Sequence, residues 1–128
     1  MSDPRPTEAE LALLQVLWER GPSTVREVHD RLAELRGTEV VYTTVLKLLQ
    51  VMHDKGLVVR DTTERSHVYT PTWAEEAVTG RLVAHLVDRA FGGSASRLVQ
   101  RALAERPADP QELDEIRALL DRLEKEGR

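Results

Sequence analysis

The hydrophobic spacing of this chain changes twice, and those changes constrain its fold more than any other feature. Up to Gly56, apolar residues recur at helical spacing. From Leu57 to Thr70, two β-branched runs flank a polar stretch. Beyond Pro71 the helical spacing returns. A few helices must therefore share a core with one hairpin. With 128 residues, the chain makes one domain or two small halves.

Local signals mark each helix. Thr7-Glu8-Ala9-Glu10 reads as a capping box, a hydroxyl at the cap and a carboxylate three residues on. Leu11, Leu14, Leu17 and Trp18 follow, and Gly21-Pro22 ends that helix. Thr24-Val25-Arg26-Glu27 repeats the box, and Val25, Val28, Leu32 and Leu35 form the stripe of a second helix that stops near Gly37. Thr38 to Val41 reads as extended. A third helix spans about Tyr42 to Asp54 and closes at Lys55-Gly56, a cation and a glycine stop.

Leu57-Val58-Val59-Arg60 and His67-Val68-Tyr69-Thr70 are strand candidates around the polar tip 61–66, with Pro71 as the stop. A long helix from Trp73 to Phe91 follows, closed by Gly92-Gly93. Ser94 caps a short helix to about Glu105. Asp109-Pro110-Gln111-Glu112 opens a last helix carrying Leu113, Ile116, Leu119, Leu120 and Leu123. The fold class is mainly α with a small β-hairpin wing: a winged helix-turn-helix over residues 1–71, then a helical dimerisation region over 72–128. The C-terminal helices offer more apolar surface than so small a chain hides. They form either an intertwined dimer, which the two apolar faces of the Trp73–Phe91 helix favour, or a lid on the same chain.

Composition closes off several functions. There is no cysteine, which removes disulfides, thiolate nucleophiles, cysteine zinc sites and iron–sulfur clusters. No apolar run approaches the roughly 18–20 residues of a membrane span. The segment Met1 to Glu8 lacks the apolar core of a signal peptide, so a soluble, cytoplasmic protein is expected. The four histidines fall in different elements without metal-ligand spacing, and no phosphate loop or nucleophile elbow occurs. Neither an enzyme nor a cofactor is implied.

Charge alone does not identify a partner. The net charge is −4, so any nucleic-acid contact must be local. On the third helix Val45, Leu48, Leu49 and Met52 share one face, while Thr43, Lys47, Gln50 and Asp54 lie opposite and Thr44 on the flank. A short, hydrogen-bonding, cationic N-terminal face suits a helix entering the major groove. It is equally the face of an ordinary solvated helix, and a winged helix that binds protein instead of DNA has the same spacing.

At these residues the chain resembles the penicillinase-repressor (BlaI/MecI) family of bacterial regulators. The likeness rests on Thr7-Glu8-Ala9-Glu10-Leu11 with Val16-Leu17-Trp18, on Thr24-Val25-Arg26-Glu27-Val28, and on Tyr42-Thr43-Thr44-Val45. Lys55-Gly56-Leu57-Val58 and Tyr69-Thr70-Pro71 complete it, and it covers almost the whole chain. The resemblance implies a homodimeric repressor on palindromic, double-stranded operator DNA. Tyr42, Thr43, Thr44 and Lys47 would contact DNA from the helix, and Arg65 a phosphate from the wing. Copper-responsive relatives carry Cys-x-Cys motifs, which are missing here. β-Lactam-responsive relatives are cut at an Asn–Phe bond, with a membrane-bound sensor protease as the implied partner; the matching position is Arg101–Ala102.

Overall fold

The computed structural model describes residues 5–127, so the start of the segment read above for a signal peptide, residues 1–4, lies outside them. The chain divides into two compact units, Met1–Leu82 and Val83–Arg128.

In the first unit α1 spans Glu8–Arg20, α2 Val25–Arg36 and α3 Tyr42–Lys55. Both capping boxes form: the Thr7 hydroxyl accepts from the Glu10 amide at 3.2 Å, and the Thr24 hydroxyl from the Glu27 amide at 3.2 Å. Each box glutamate returns the bond to the backbone of its cap at 2.9 Å, so two otherwise orphaned amides are satisfied at each helix start. Gly37 and Gly56 end α2 and α3 in the left-handed conformation, at φ 65° and 84°.

The hairpin lies one residue beyond the expected runs, as β2 (Val58–Asp61) and β3 (Val68–Pro71). Pro71 ends the strand from inside it, as β3's last residue, paired with Val58. A third strand, β1 (Ser23–Thr24), adds to the far side of β3, giving the antiparallel order β1-β3-β2. Ser23 opposes Tyr69 and Thr24 opposes Val68. Two residues carry no periodicity of their own, so this strand is created by its partner.

The core joins Leu13, Leu14, Val16 and Leu17 of α1 to Val28 and Leu32 of α2, Val45, Leu49 and Met52 of α3, and Leu57, Val58 and Tyr69 of the hairpin. Burial runs further around α1 than the stripe Leu11-Leu14-Leu17 implies, because α1 lies against both α3 and β3. Leu35, by contrast, is 57% exposed in the last turn of α2 and is not part of the core. A half-buried ion pair ties the start of α1 to the end of α3. Lys55 Nζ lies 2.7 and 3.0 Å from the two carboxylate oxygens of Glu10.

The helix α4 covers Glu75–Ala90, within the expected Trp73–Phe91. Its Val78 and Leu82 pack on the first unit's core. The second unit holds the end of α4 with α5 (Ala95–Glu105) and α6 (Pro110–Glu126). Ser94 and Asp109 cap α5 and α6 as their sequences imply. Neither helix buries a single residue within the chain. Among the described residues, no helix is long and apolar enough to cross a membrane, and no cluster of His, Asp and Glu could hold a metal.

Candidate nucleic-acid interface

The helix α3 buries Val45, Leu49 and Met52, and this fixes what it turns outward: Thr43, Thr44, Lys47, Gln50 and Asp54 are all exposed. Lys47 has no ion-pair partner among the described residues, so its charge is available. The helix begins after Val41, which is 62% exposed and supplies no side-chain cap. Uncapped amides at the positive end of a helix dipole suit an anion.

Tyr42, the first residue of α3, is held more tightly than its sequence position suggests. The Arg26 guanidinium carbon sits 4.5 Å from its ring centroid, and the His29 ring packs at 5.8 Å, tilted by 56°. His29 in turn anchors the loop before α3. Its Nε2 lies 2.6 Å from the Val40 carbonyl, and its Nδ1 lies 2.9 Å from the Asp30 carboxylate. Both partners are acceptors, so the ring satisfies both only as an imidazolium. The Asp30 bond first, and the Val40 carbonyl next, hold its pKa above the ordinary histidine value.

Between the start of α2, α3 and the hairpin lies an open cavity of about 360 Å³. It brings Tyr42 and Arg65 together with Arg26, Gln50, Arg60 and His67. None of its described lining residues carries a carboxylate. Thr43, Thr44 and Lys47 do not line it; they lie on the exposed flank of the same helix. The tip beyond β2 is shaped by Asp61, whose carboxylate accepts from both the hydroxyl and the amide of Thr63. These bonds, the hydroxyl's first, keep the Asp61 carboxyl below its ordinary value. Arg65 is exposed on that tip. Arg101 and Ala102 are exposed on α5, where Arg101 reaches Glu105 at 3.6 Å.

Sequence reasoning missed Arg26, Arg60 and His67 as neighbours of this surface, and placed Gln50 only on an outward face. A signal for Arg60 existed. Alternation along β2 puts residues 58 and 60 on one face, so Arg60 shares the inward face with buried Val58 and faces buried Tyr69 across the pair.

Comparison with known proteins is consistent with this geometry. A profile of the penicillinase repressor family matches residues 6–122. The transcriptional regulator BlaI of Mycobacterium tuberculosis is 34% identical over 119 residues, which cover 91% of this chain and 83% of that protein. The solved DNA-binding domain of the repressor BlaI aligns with 26% identity and a TM-score of 0.50, over 59% of this chain and 90% of that one. RosR of H. salinarum shares the fold with a TM-score of 0.57 at 20% identity, over 91% of this chain and 92% of that one. With six helices and a three-stranded wing sheet among its described residues, and a family match across nearly its full length, the chain belongs to the penicillinase repressor family, a family of transcriptional regulators and not of enzymes.

Proposed function

We propose that the chain is a cytoplasmic, DNA-binding transcriptional repressor that acts as a homodimer on a palindromic operator. The observation that carries this is the outward face of α3. It is hydrogen-bonding and cationic at its N-terminal end, uncapped, and flanked by a wing whose tip bears Arg65. Thr43, Thr44 and Lys47 read base edges and phosphates, Tyr42 holds the start of the helix against them, and Arg65 takes a phosphate. Residues 1–71 are the reader and residues 72–128 the dimerisation region.

The dimer is supported by the state of α5 and α6. An amphipathic helix forms stably by burying its apolar face, and these two hold no fully buried residue within one chain. Leu119, Leu120 and Leu123 are 42%, 54% and 51% exposed along α6. A second copy supplies the missing surface. Pairing then sets two copies of α3 about one DNA turn apart, roughly 34 Å, and makes binding bivalent. Anything that removes or loosens Ser94–Arg128 relieves repression. Cutting at Arg101–Ala102 by a membrane-bound sensor protease is one such signal, since it detaches α6.

One titration tests the whole scheme. Duplex from the region upstream of the chain's own gene is titrated with full-length chain and with a chain ending at Arg101, at two salt concentrations. The expected result is two full-length protomers per near-palindromic site, with affinity falling steeply as salt rises. The truncated chain should be monomeric and about 10²–10⁴-fold weaker. Affinity that is flat in salt, or a truncated chain that remains dimeric and binds as tightly, refutes the scheme.

A further inference from the structure

We propose that the cavity between α2, α3 and the hairpin is a socket for one backbone phosphodiester of duplex DNA, with Arg60 as its floor. The inference rests on the DNA-binding reading above and adds to it a residue that neither the outward face of α3 nor the wing tip includes.

Three observations converge. Arg60 occupies an inward position of β2, where alternation calls for an apolar side chain. Its Nε is buried and has no hydrogen-bond partner, and the guanidinium makes no ion pair among the described residues. Burying an unpaired donor is unfavourable, and it is unusual enough in folded proteins that a missing partner is the natural explanation. The third observation is the composition of the cavity. Arg26, Arg60, Arg65 and His67 line it together with Gln50, and no described lining residue offers a carboxylate. An anion from outside the chain suits this cationic lining.

Geometry selects the anion. A guanidinium presents a planar fork of donors that fits a tetrahedral oxyanion through two parallel hydrogen bonds. Arg26 is already oriented by its stacking on Tyr42 and by its ion pair with Asp30 at 3.9 Å, so it joins the lining at little entropic cost. Gln50 lies both in the lining and on the outward face of α3, which makes the socket continuous with the surface that meets the groove. A helix docked in a major groove brings the sugar-phosphate backbone alongside it, and an open cavity of about 360 Å³ admits a phosphodiester. Held there, the backbone fixes the register of α3 without carrying sequence information.

The test uses the full-length chain, a mixed-sequence 30-base-pair duplex at about 0.1 M salt, and the variants Arg60→Met and Arg60→Lys. Met keeps the length and apolar stem but removes the unpaired donor. Arg60→Met should bind about tenfold more weakly, with the slope of log affinity on log salt shallower by about 0.9, one phosphate's worth of counterions. Its melting temperature should be equal to or above that of the parent, because nothing buried is left unsatisfied. Arg60→Lys should keep the slope while losing affinity, since the charge stays and the fork goes. If Arg60→Met lowers the melting temperature along with binding, Arg60 is structural and the socket is refuted. Unchanged affinity and slope in a folded Arg60→Met chain also refute it, while leaving the DNA-binding reading intact. A parent chain that binds no duplex at all overturns both. Inorganic phosphate, matched to the duplex in phosphorus concentration, distinguishes the source. It should leave the Arg60 Nε–H resonance where it is while duplex moves it. An equal shift with both would make the site one for free anions.

Discussion

Lys55→Met tests how the reading helix is held to the rest of the core, and the structure predicts an asymmetry between the two halves of one ion pair. Glu10 is 3% exposed, whereas the Lys55 side chain is 34% exposed. Removing the carboxylate lets the ammonium turn to water. Removing the ammonium leaves the carboxylate in the core, with the Thr7 amide still donating to it at 2.9 Å. Deleting one partner of a buried pair costs about 3–5 kcal/mol. The remaining Thr7 bond, and the option of taking up a proton, reduce this to about 2–4 kcal/mol for Lys55→Met at neutral pH. Glu10→Gln keeps an oxygen for Thr7 and leaves a hydrated ammonium, so it should cost about 1 kcal/mol.

The pH dependence follows from the same contacts. Burial pushes the Glu10 carboxyl up, but the Lys55 and Thr7 interactions together outweigh it and hold the carboxyl below its ordinary value. In the parent, this pair contributes fully above the unfolded carboxylate pKa and is lost as pH falls through the lowered folded value. Without Lys55 the burial effect is opposed by less, the Thr7 bonds remaining, and Glu10 protonates at a higher pH than in the parent. The deficit of Lys55→Met should therefore be largest at neutral pH and shrink on acidification. Urea unfolding followed by far-ultraviolet circular dichroism, at pH 7 and at about pH 4, measures both effects. The reasoning fails if Glu10→Gln costs as much as Lys55→Met at pH 7, or if the Lys55→Met deficit is the same at both pH values.

Three further outcomes are expected. Lys47→Ala should relax specificity at one operator position by about 1–3 kcal/mol, whereas Arg65→Ala should weaken all sequences alike; anisotropy titrations against a panel of single-base operator variants separate the two. His29, raised chiefly by Asp30 and then by the Val40 carbonyl against the opposing charge of Arg26, stabilises the fold fully below the unfolded histidine pKa of about 6.5, and this stabilisation is lost as pH rises through the raised folded value. The gap in melting temperature between the parent and His29→Gln should accordingly narrow from about pH 6 to about pH 9, and a gap independent of pH would rule out the imidazolium. Leu123→Asp, at a position 51% exposed on α6, should leave helicity intact while shifting the chain to monomer in light scattering; an unchanged dimer would place the interface elsewhere.

Much of this fold is decided by short-range chemistry and is visible in the chain itself. A capping hydroxyl and its glutamate are three residues apart, and a glycine stop touches only the turn before it. Both boxes, the end of α3 at Gly56 and the cap and proline that open α6 are therefore legible without neighbours. The outward face of α3 is legible too, because helical period alone sets which side chains oppose Val45, Leu49 and Met52. What the sequence could not decide depends on residues distant in the chain. Ser23–Thr24 is a strand only because β3 lies beside it, and Leu35 fits the stripe of α2 yet stays exposed because no element covers the last turn. The Glu10–Lys55 pair joins residues 45 positions apart, and no local pattern marks it. Arg60 shows the difference most clearly. Alternation along β2 already sets its inward direction, but only the tertiary structure places an open, cationic cavity where that side chain points. Local periodicity fixes direction; what lies in that direction is decided by how the other elements pack.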